Sequence, residues 1–238
     1  SYFLSYMANF LTDKFVTKSG KKLDITFLTH GSLQFTFDEK VIYADPTSVL
    51  VDYADFPKAD YIFATHHHDD HFDLDALEIL AKDGTVVVCT DEVAKIIGER
   101  ADVVVKVLHN GDEAQLESDF AVKAVPAHNH PERYGFHPAG RDNGYIFNFD
   151  GLKVYVSGDT EDIDEMKDLA KEELYIAFLP VNQPYTMTIE QAEKAILEIR
   201  PQIFYPYHYG KTEVKTDIDL LYARLRHSPM EIRLRRME

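Results

Sequence analysis

The sequence predicts a layered α/β sandwich, and three features point to it. Short apolar runs bounded by turn residues open the chain, runs of strand and helix character then alternate, and this order comes twice over. At 238 residues the chain is one large domain or two small ones, and the unbroken alternation favours a single domain over 1–238. An apolar fraction of 45% with 15 Phe and 14 Tyr supplies ample material for a core, which excludes a disordered chain.

The first meander is expected over 23–29, 32–37 and 41–44, the last two joined by the turn residues Asp38, Glu39 and Lys40. A buried strand over 61–64 runs into a histidine-rich loop. Leu74, Leu77, Leu80 and Ala81 then recur at helical spacing behind Asp73 as N-cap. A strand at 86–89, a helix at 92–98 and a strand at 103–107 continue the pattern. The second half begins with strands at 120–125, 144–149 and 152–157, with Asp150-Gly151 as the hairpin turn. There follow a helix near 163–170, a strand at 174–179, and a helix at 189–199 opened by a capping box of Thr188 and Gln191. A strand at 203–205, a helix over 217–226 and a short final strand complete it. The acidic run Glu161, Asp162, Asp164 and Glu165 is expected to cap and solvate the helix it precedes.

A formal charge of −16 repels phosphate backbones over the general surface, so no nucleic-acid partner is expected. Lys and Arg gather near the C-terminus, at Arg224, Arg226, Arg233, Arg235 and Arg236, and that cluster reads as a solvated face. The single cysteine, Cys89, closes an apolar strand and reads as a core residue, so nothing calls for an oxidising compartment. The apolar, aromatic segment 1–11 is too short for a bilayer, which needs about 20 residues, and could instead pack on a second copy. A cytoplasmic protein without a membrane partner is the expectation; a start at Ser1 is also compatible with a removed upstream signal.

The chemistry concentrates in Thr65-His66-His67-His68-Asp69-Asp70-His71, an H-x-H-x-D-H pattern directly after an apolar strand. Imidazole and carboxylate are the ligands that borderline divalent ions prefer, and such density is costly unless a cation satisfies it. Residues two apart on an extended segment point the same way, so His66 and His68 can share one ion while His67 points away; Asp70 and His71, past the turn, can face a second. A surface histidine loop or a tag remnant is the bland alternative, but tags sit at termini and lack the carboxylates.

Three later segments offer further ligands, each at the exit of an apolar strand. They are Asp159 behind Gly158, His208 behind Tyr207, and the group His128, His130 and His137. Alone, Asp159 reads as a turn or cap residue and His208 as a core histidine; their joint placement favours ligation. A carboxylate can bridge two cations, which suits Asp159 to a shared position. Any of His128, His130 and His137 can supply the missing histidine.

These motifs resemble the metallo-β-lactamase superfamily, and more closely its ascorbate-phosphate-lactonase-like branch. The likeness is carried by His66, His68, Asp70 and His71, by His30-Gly31-Ser32 and Asp45-Pro46, and by Phe136-His137-Pro138-Ala139-Gly140. Ser157-Gly158-Asp159-Thr160, Leu179-Pro180-Val181, Tyr185-Thr186-Met187 and Pro206-Tyr207-His208 extend it over nearly the whole chain. The resemblance implies a four-layer αβ/βα sandwich and two divalent ions, zinc or manganese. One ion would be held by His66, His68 and, by the match at 136–140, His137; the other by Asp70, His71 and His208; Asp159 would bridge. His128, in place of an aromatic residue, and Asp69, in place of glycine, depart from the branch.

The implied activity is hydrolysis of a small ester, lactone or phosphoester by a dinuclear metal-bound hydroxide, with Asp70 orienting the nucleophile as the catalytic carboxylate. Two dications outweigh Asp70 and Asp159 locally, so an anionic small molecule is an acceptable substrate despite the overall charge. His30, His128 and Tyr185 are the substrate-contact candidates. A nuclease or cyclic-nucleotide phosphodiesterase, and a non-catalytic metal-binding sensor of the same fold, are the competing classes. His109 and His227, in a polar turn and at a helix end, read as structural.

Overall fold

A computed structural model of the chain describes residues 9–238. By its internal contacts the chain divides into two compact units, one ending at Leu108 and one starting at His109, each built on a seven-stranded sheet. The expected packing of the N-terminal aromatic segment on a second copy falls mostly on residues 1–8, which lie outside the described residues.

In the first unit β1 (Thr12–Val16), β2 (Lys22–Thr29), β3 (Ser32–Phe37) and β4 (Lys40–Ala44) pair antiparallel in sequence order. Asp38 and Glu39 turn β3 into β4 with φ of 46° and 71°, the left-handed pair that a tight hairpin requires. Then β5 (Tyr61–Phe63), β6 (Thr85–Cys89) and β7 (Val103–Val107) add in parallel. Parallel neighbours need crossovers; α1 (Leu74–Leu80) and α2 (Asp91–Ile97) supply those from β5 to β6 and from β6 to β7, and a loop links β4 to β5. Asp73 caps α1 by accepting from Ala76 N at 3.0 Å, which directs Ala76, Leu77 and Leu80 into a core with Tyr53, Phe72 and Val87.

The second unit repeats the order. β8 (Glu113–Glu117), β9 (Phe120–Ala127), β10 (Asp142–Phe149) and β11 (Leu152–Val156) form the antiparallel part, and β12 (Ile176–Pro180), β13 (Ile203–Tyr207) and β14 (Glu231–Ile232) the parallel part. Asp150 and Gly151, at φ of 51° and 88°, make the expected hairpin turn. α3 (Ile189–Ile199) follows β12 and α4 (Ile218–Leu225) follows β13. The capping box forms in full: Thr188 Oγ1 accepts from Gln191 N at 3.1 Å and Gln191 Oε1 accepts from Thr188 N at 2.9 Å.

The mixed α/β class with two multi-strand sheets is thus the one expected, and the duplicated order is its substance. Two strands escaped the sequence reading, because β1 and β8 are short, polar and only partly buried. The helix expected near 163–170 is a 3-10 run over Asp164–Glu172. Its buried residues Met166 and Leu169 stand three apart, the repeat of a three-residue turn. Nor does the acidic stretch simply solvate that element. Ile163 stands at its N-cap without a side-chain bond, and Glu161 is buried at 1% exposure.

Among the described residues, no helix is long and apolar enough to cross a membrane. Cys89 is buried and unbridged, and burial pushes its thiol up to about 12, as a core role requires. The C-terminal arginines are more engaged than expected. Arg233 and Arg235 lie over the Tyr205 ring, at 5.9 and 5.8 Å from its centroid, and Arg224 pairs with Glu193.

Candidate metal centre

In each unit the ligand-type residues stand beyond the carboxyl ends of strands, where parallel α/β sheets leave their crevices. In the first unit the loop after β5 carries His66, His68, Asp70 and His71, and Asp45 directly follows β4. Asp45 is fully buried and organises that loop. Its Oδ1 accepts from Thr65 N at 2.7 Å, and its Oδ2 accepts from Thr65 Oγ1 at 2.6 Å and from His71 Nδ1 at 2.7 Å. The Thr65 hydroxyl, having donated to Asp45, accepts at 2.9 Å from His66 Nδ1. One carboxylate therefore fixes two imidazoles with a proton on Nδ1 and Nε2 turned outward, the arrangement that metal-ligating histidines take from their supporting groups.

The rings of His66 and His68 stand edge to face at 4.6 Å between centroids, and those of His66 and His71 at 4.2 Å. Asp45, His66 and His71 bring nitrogen and oxygen atoms within 4.8 Å of one another. Asp70, partly exposed, is held by His30, whose Nε2 lies 2.8 Å from Asp70 Oδ2; His71 Nε2 is 3.6 Å from the same oxygen. Asp69 is exposed, and its carbonyl accepts from Thr47 Oγ1 at 2.5 Å. His67 packs on the His68 ring at 5.0 Å.

In the second unit Asp159, buried after β11, faces two histidines. Its Oδ2 lies 3.1 Å from His137 Nε2 and its Oδ1 lies 3.3 Å from His208 Nε2. His137 Nδ1 is 2.8 Å from Asn129 Oδ1, and His208 Nδ1 is 2.8 Å from the Asn182 side-chain amide. Gly158, at φ 64°, donates its N–H to Tyr207 Oη at 2.9 Å, which anchors the turn carrying Asp159. The other histidines of the group are engaged elsewhere. His128 sets Nε2 2.5 Å from Glu165 Oε2 and Nδ1 2.7 Å from Asn129 O, while His130 Nε2 is 2.8 Å from Asp162 Oδ1. Tyr185 packs edge on against Phe136 and donates its hydroxyl to Glu213 at 2.8 Å.

Three non-glycine residues of these loops, His30, Asp45 and His208, adopt left-handed φ of 57°, 48° and 54°. That conformation costs roughly 1–2 kcal/mol per residue and persists where surrounding bonds enforce it, commonly at functional sites.

The donor sets suit a divalent cation. Two ligands at about 2.0–2.2 Å from one tetrahedral ion stand roughly 3.3–3.6 Å apart. The His208–Asp159 separation of 3.3 Å meets that edge, and the His137–Asp159 separation of 3.1 Å is slightly shorter. Asn129, Asn182, Thr65 and the buried Glu161 escaped the sequence reading as functional candidates, since neutral amides and hydroxyls carry no ligand signature. The proximity of Glu161 to Asp159 was the available signal.

A fold of two seven-stranded sheets whose loops carry buried imidazoles with Nδ1 held in place defines a metalloprotein class. Comparison makes it specific. The family model of the β-lactamase superfamily domain matches residues 24–208. A UPF0173 metal-dependent hydrolase of Archaeoglobus fulgidus is 32% identical over 191 residues, covering 77% of this chain and 79% of its own. A crystal structure from Parabacteroides distasonis, presented as a metal-dependent hydrolase, superposes with a TM-score of 0.89 at 49% identity, over 96% of this chain and all of that one. Igni18, a metallo hydrolase of Ignicoccus hospitalis, gives 0.74 at 26% identity over 89% of this chain and 94% of its own. The chain belongs to the β-lactamase superfamily, among its metal-dependent hydrolases.

Proposed function

We propose that the chain hydrolyses a small ester, lactone or phosphoester with two divalent ions, zinc or manganese. His66, His68 and His137 would hold one ion, Asp70, His71 and His208 the other, and Asp159 would bridge. The single observation that carries this reading is the Asp159 carboxylate, which offers one oxygen to His137 and the other to His208 at ligand-edge separations. When bound, such an ion pair lowers the pKa of a coordinated water toward about 7 and polarises the carbonyl or phosphoryl group under attack.

The protein's own part is orientation and proton handling. His30 holds the Asp70 carboxylate at 2.8 Å, so that Asp70 can orient the attacking water and take up a proton from it. Asp45 and Thr65 engage Nδ1 of His71 and His66 and so turn Nε2 outward for coordination. His30, His128 and Tyr185 are the proposed substrate contacts, and the motifs 136–140 and 157–160 favour the ascorbate-phosphate-lactonase-like branch. As part of the same proposal, a single hydrolase domain acts on a small, anionic molecule, and its cytoplasmic setting accords with the lone buried cysteine. The nuclease alternative loses support, because Arg224, Arg233 and Arg235 are engaged in internal contacts.

The test is a panel of lactone, carboxylester, phosphomonoester and phosphodiester substrates assayed with zinc and with manganese. Metal-dependent turnover of a small ester, lactone or phosphoester, abolished in His66→Ala and Asp159→Ala, is expected. Turnover that survives chelation, or that is confined to polynucleotides, would refute the reading.

A further inference from the structure

We propose that Glu161 is a positioning residue for His137, acting through the Asn129 amide, and that it sets the tautomer of that imidazole; the consequence for metal binding rests on the reading above, the tautomer does not. Glu161 is buried at 1% exposure, yet its carboxylate gathers donors on both oxygens. Oε1 accepts from Asn129 Nδ2 at 2.9 Å and from His130 N at 3.2 Å, and Oε2 accepts from Gln191 Nε2 at 2.8 Å. The Arg133 guanidinium stands at 3.9 Å and supplies opposite charge. A buried carboxylate left without such partners would be strongly destabilising, so the cluster is tightly specified.

The orientation of Asn129 follows from its neighbours. Its Nδ2 has two hydrogens, and both are taken by pure acceptors, Glu161 Oε1 at 2.9 Å and the Tyr185 carbonyl at 2.8 Å. Rotating the amide by half a turn would set an oxygen against those two oxygens. Oδ1 is therefore turned to His137 Nδ1 at 2.8 Å, and an amide oxygen can only accept, so the imidazole carries its proton on Nδ1. In the neutral ring Nε2 is then the lone pair, and it faces Asp159. Gln191 is fixed in turn by the capping box. Its Oε1 takes Thr188 N, so its Nε2 is the end that meets Glu161. The N-terminus of α3 is thereby wired to a proposed ligand through Thr188, Gln191, Glu161, Asn129 and His137. The first unit reaches the same result with Asp45 and Thr65 acting on His66.

The decisive variants are Glu161→Gln, Gln191→Glu and the two combined, in the full chain. Glu161→Gln sets an amide nitrogen against either Asn129 Nδ2 or Gln191 Nε2, donor against donor. Adding Gln191→Glu restores an acceptor opposite every donor while still serving Thr188 N. Nitrogen-15 chemical shifts of His137 in metal-free protein read the tautomer directly, and titration with cobalt(II) reads the site. The wild type is expected to show the Nδ1-protonated ring. Glu161→Gln should reduce that population and weaken cobalt binding about 10–100-fold, the range for losing a group that supports a ligand. The double variant should recover at least tenfold of the loss.

A wild-type ring protonated on Nε2 would overturn the proposal. So would a Glu161→Gln protein that loses only melting temperature while tautomer and cobalt affinity hold, or a double variant as weak as its parts combined. If the wild type binds no cobalt, the metal reading fails, while the tautomer measurement still decides the role of Glu161. Should Glu161→Gln fail to fold, the wild-type tautomer and the single Gln191→Glu variant decide it.

Discussion

His71 Nδ1 lies 2.7 Å from Asp45 Oδ2, and both side chains are wholly excluded from solvent. The pair ties the last histidine of the β5 loop to the end of the neighbouring strand β4, so that loop is shaped by the sheet beneath it.

Replacing Asp45 by Ala should therefore damage metal binding and stability together. Thr65 N, Thr65 Oγ1 and His71 Nδ1 would each lose an acceptor, at about 1–3 kcal/mol for each buried donor left unmet. Metal affinity should fall roughly 10–100-fold. Calorimetric titration with zinc and urea unfolding of the same preparation check both parts, and a variant that binds metal like the wild type would contradict the assignment.

Two glycines should distinguish a change at the site from one in the scaffold. A Cβ on Gly31 would stand 2.9 Å from His71 Cε1, so Gly31→Ala must displace that imidazole. A Cβ on Gly144 would meet the Ser157 carbonyl oxygen at 2.8 Å, backbone that cannot yield cheaply. Gly31→Ala is expected to weaken metal binding and, by straining the His71–Asp45 bond, to lower stability by up to about 1–3 kcal/mol. Gly144→Ala is expected to destabilise by about 1–3 kcal/mol, the usual range for overpacking. Melting curves paired with metal titrations of both variants read the contrast.

The fold was largely legible because its strands are apolar runs punctuated by turn residues, and the hairpin at Asp150-Gly151 and the box at Thr188 and Gln191 carry signals local to a few residues. The edge strands β1 and β8 were not, since Lys14, Asp13, Glu113 and Glu117 give them a polar face without alternation. The β5 loop announced its metal chemistry through residue types and spacing alone. What the sequence could not convey is which polar residues support the ligands. Glu161, Asp162, Asp164 and Glu165 read alike in sequence, yet Glu161 is buried under three donors while Asp164 and Glu165 are exposed. The same holds for the histidines after β9, where the partner across the loop separates His137, facing Asp159, from His128, facing Glu165.

That difference is testable by deletion. His137→Ala should reduce metal affinity by more than the about 10–100-fold that loss of a supporting group brings, whereas His128→Ala should leave metal stoichiometry unchanged. Elemental analysis of the two variants decides it, and the opposite order would move the third ligand to His128.

The His130–Asp162 pair predicts a pH effect of definite sign. Its hydrogen bond to Asp162 raises the His130 pKa above the ordinary histidine value, and the imidazole is about one-third exposed. A raised folded value contributes stability that is fully present below the unfolded pKa of about 6.5 and is lost as pH rises through the folded value. Because the pair is partly solvated the contribution should stay below about 1 kcal/mol. Asp162→Asn should flatten the pH dependence of unfolding free energy above about pH 6.5, and an unaltered slope would show that the pair contributes nothing.

The most direct test is anomalous diffraction from crystals of the wild-type protein grown with zinc or manganese. Two peaks per chain are predicted, each within bonding distance of one Asp159 oxygen, one also touching His66, His68 and His137 and the other Asp70, His71 and His208. A single ion, or two ions without Asp159 among their ligands, would contradict the account.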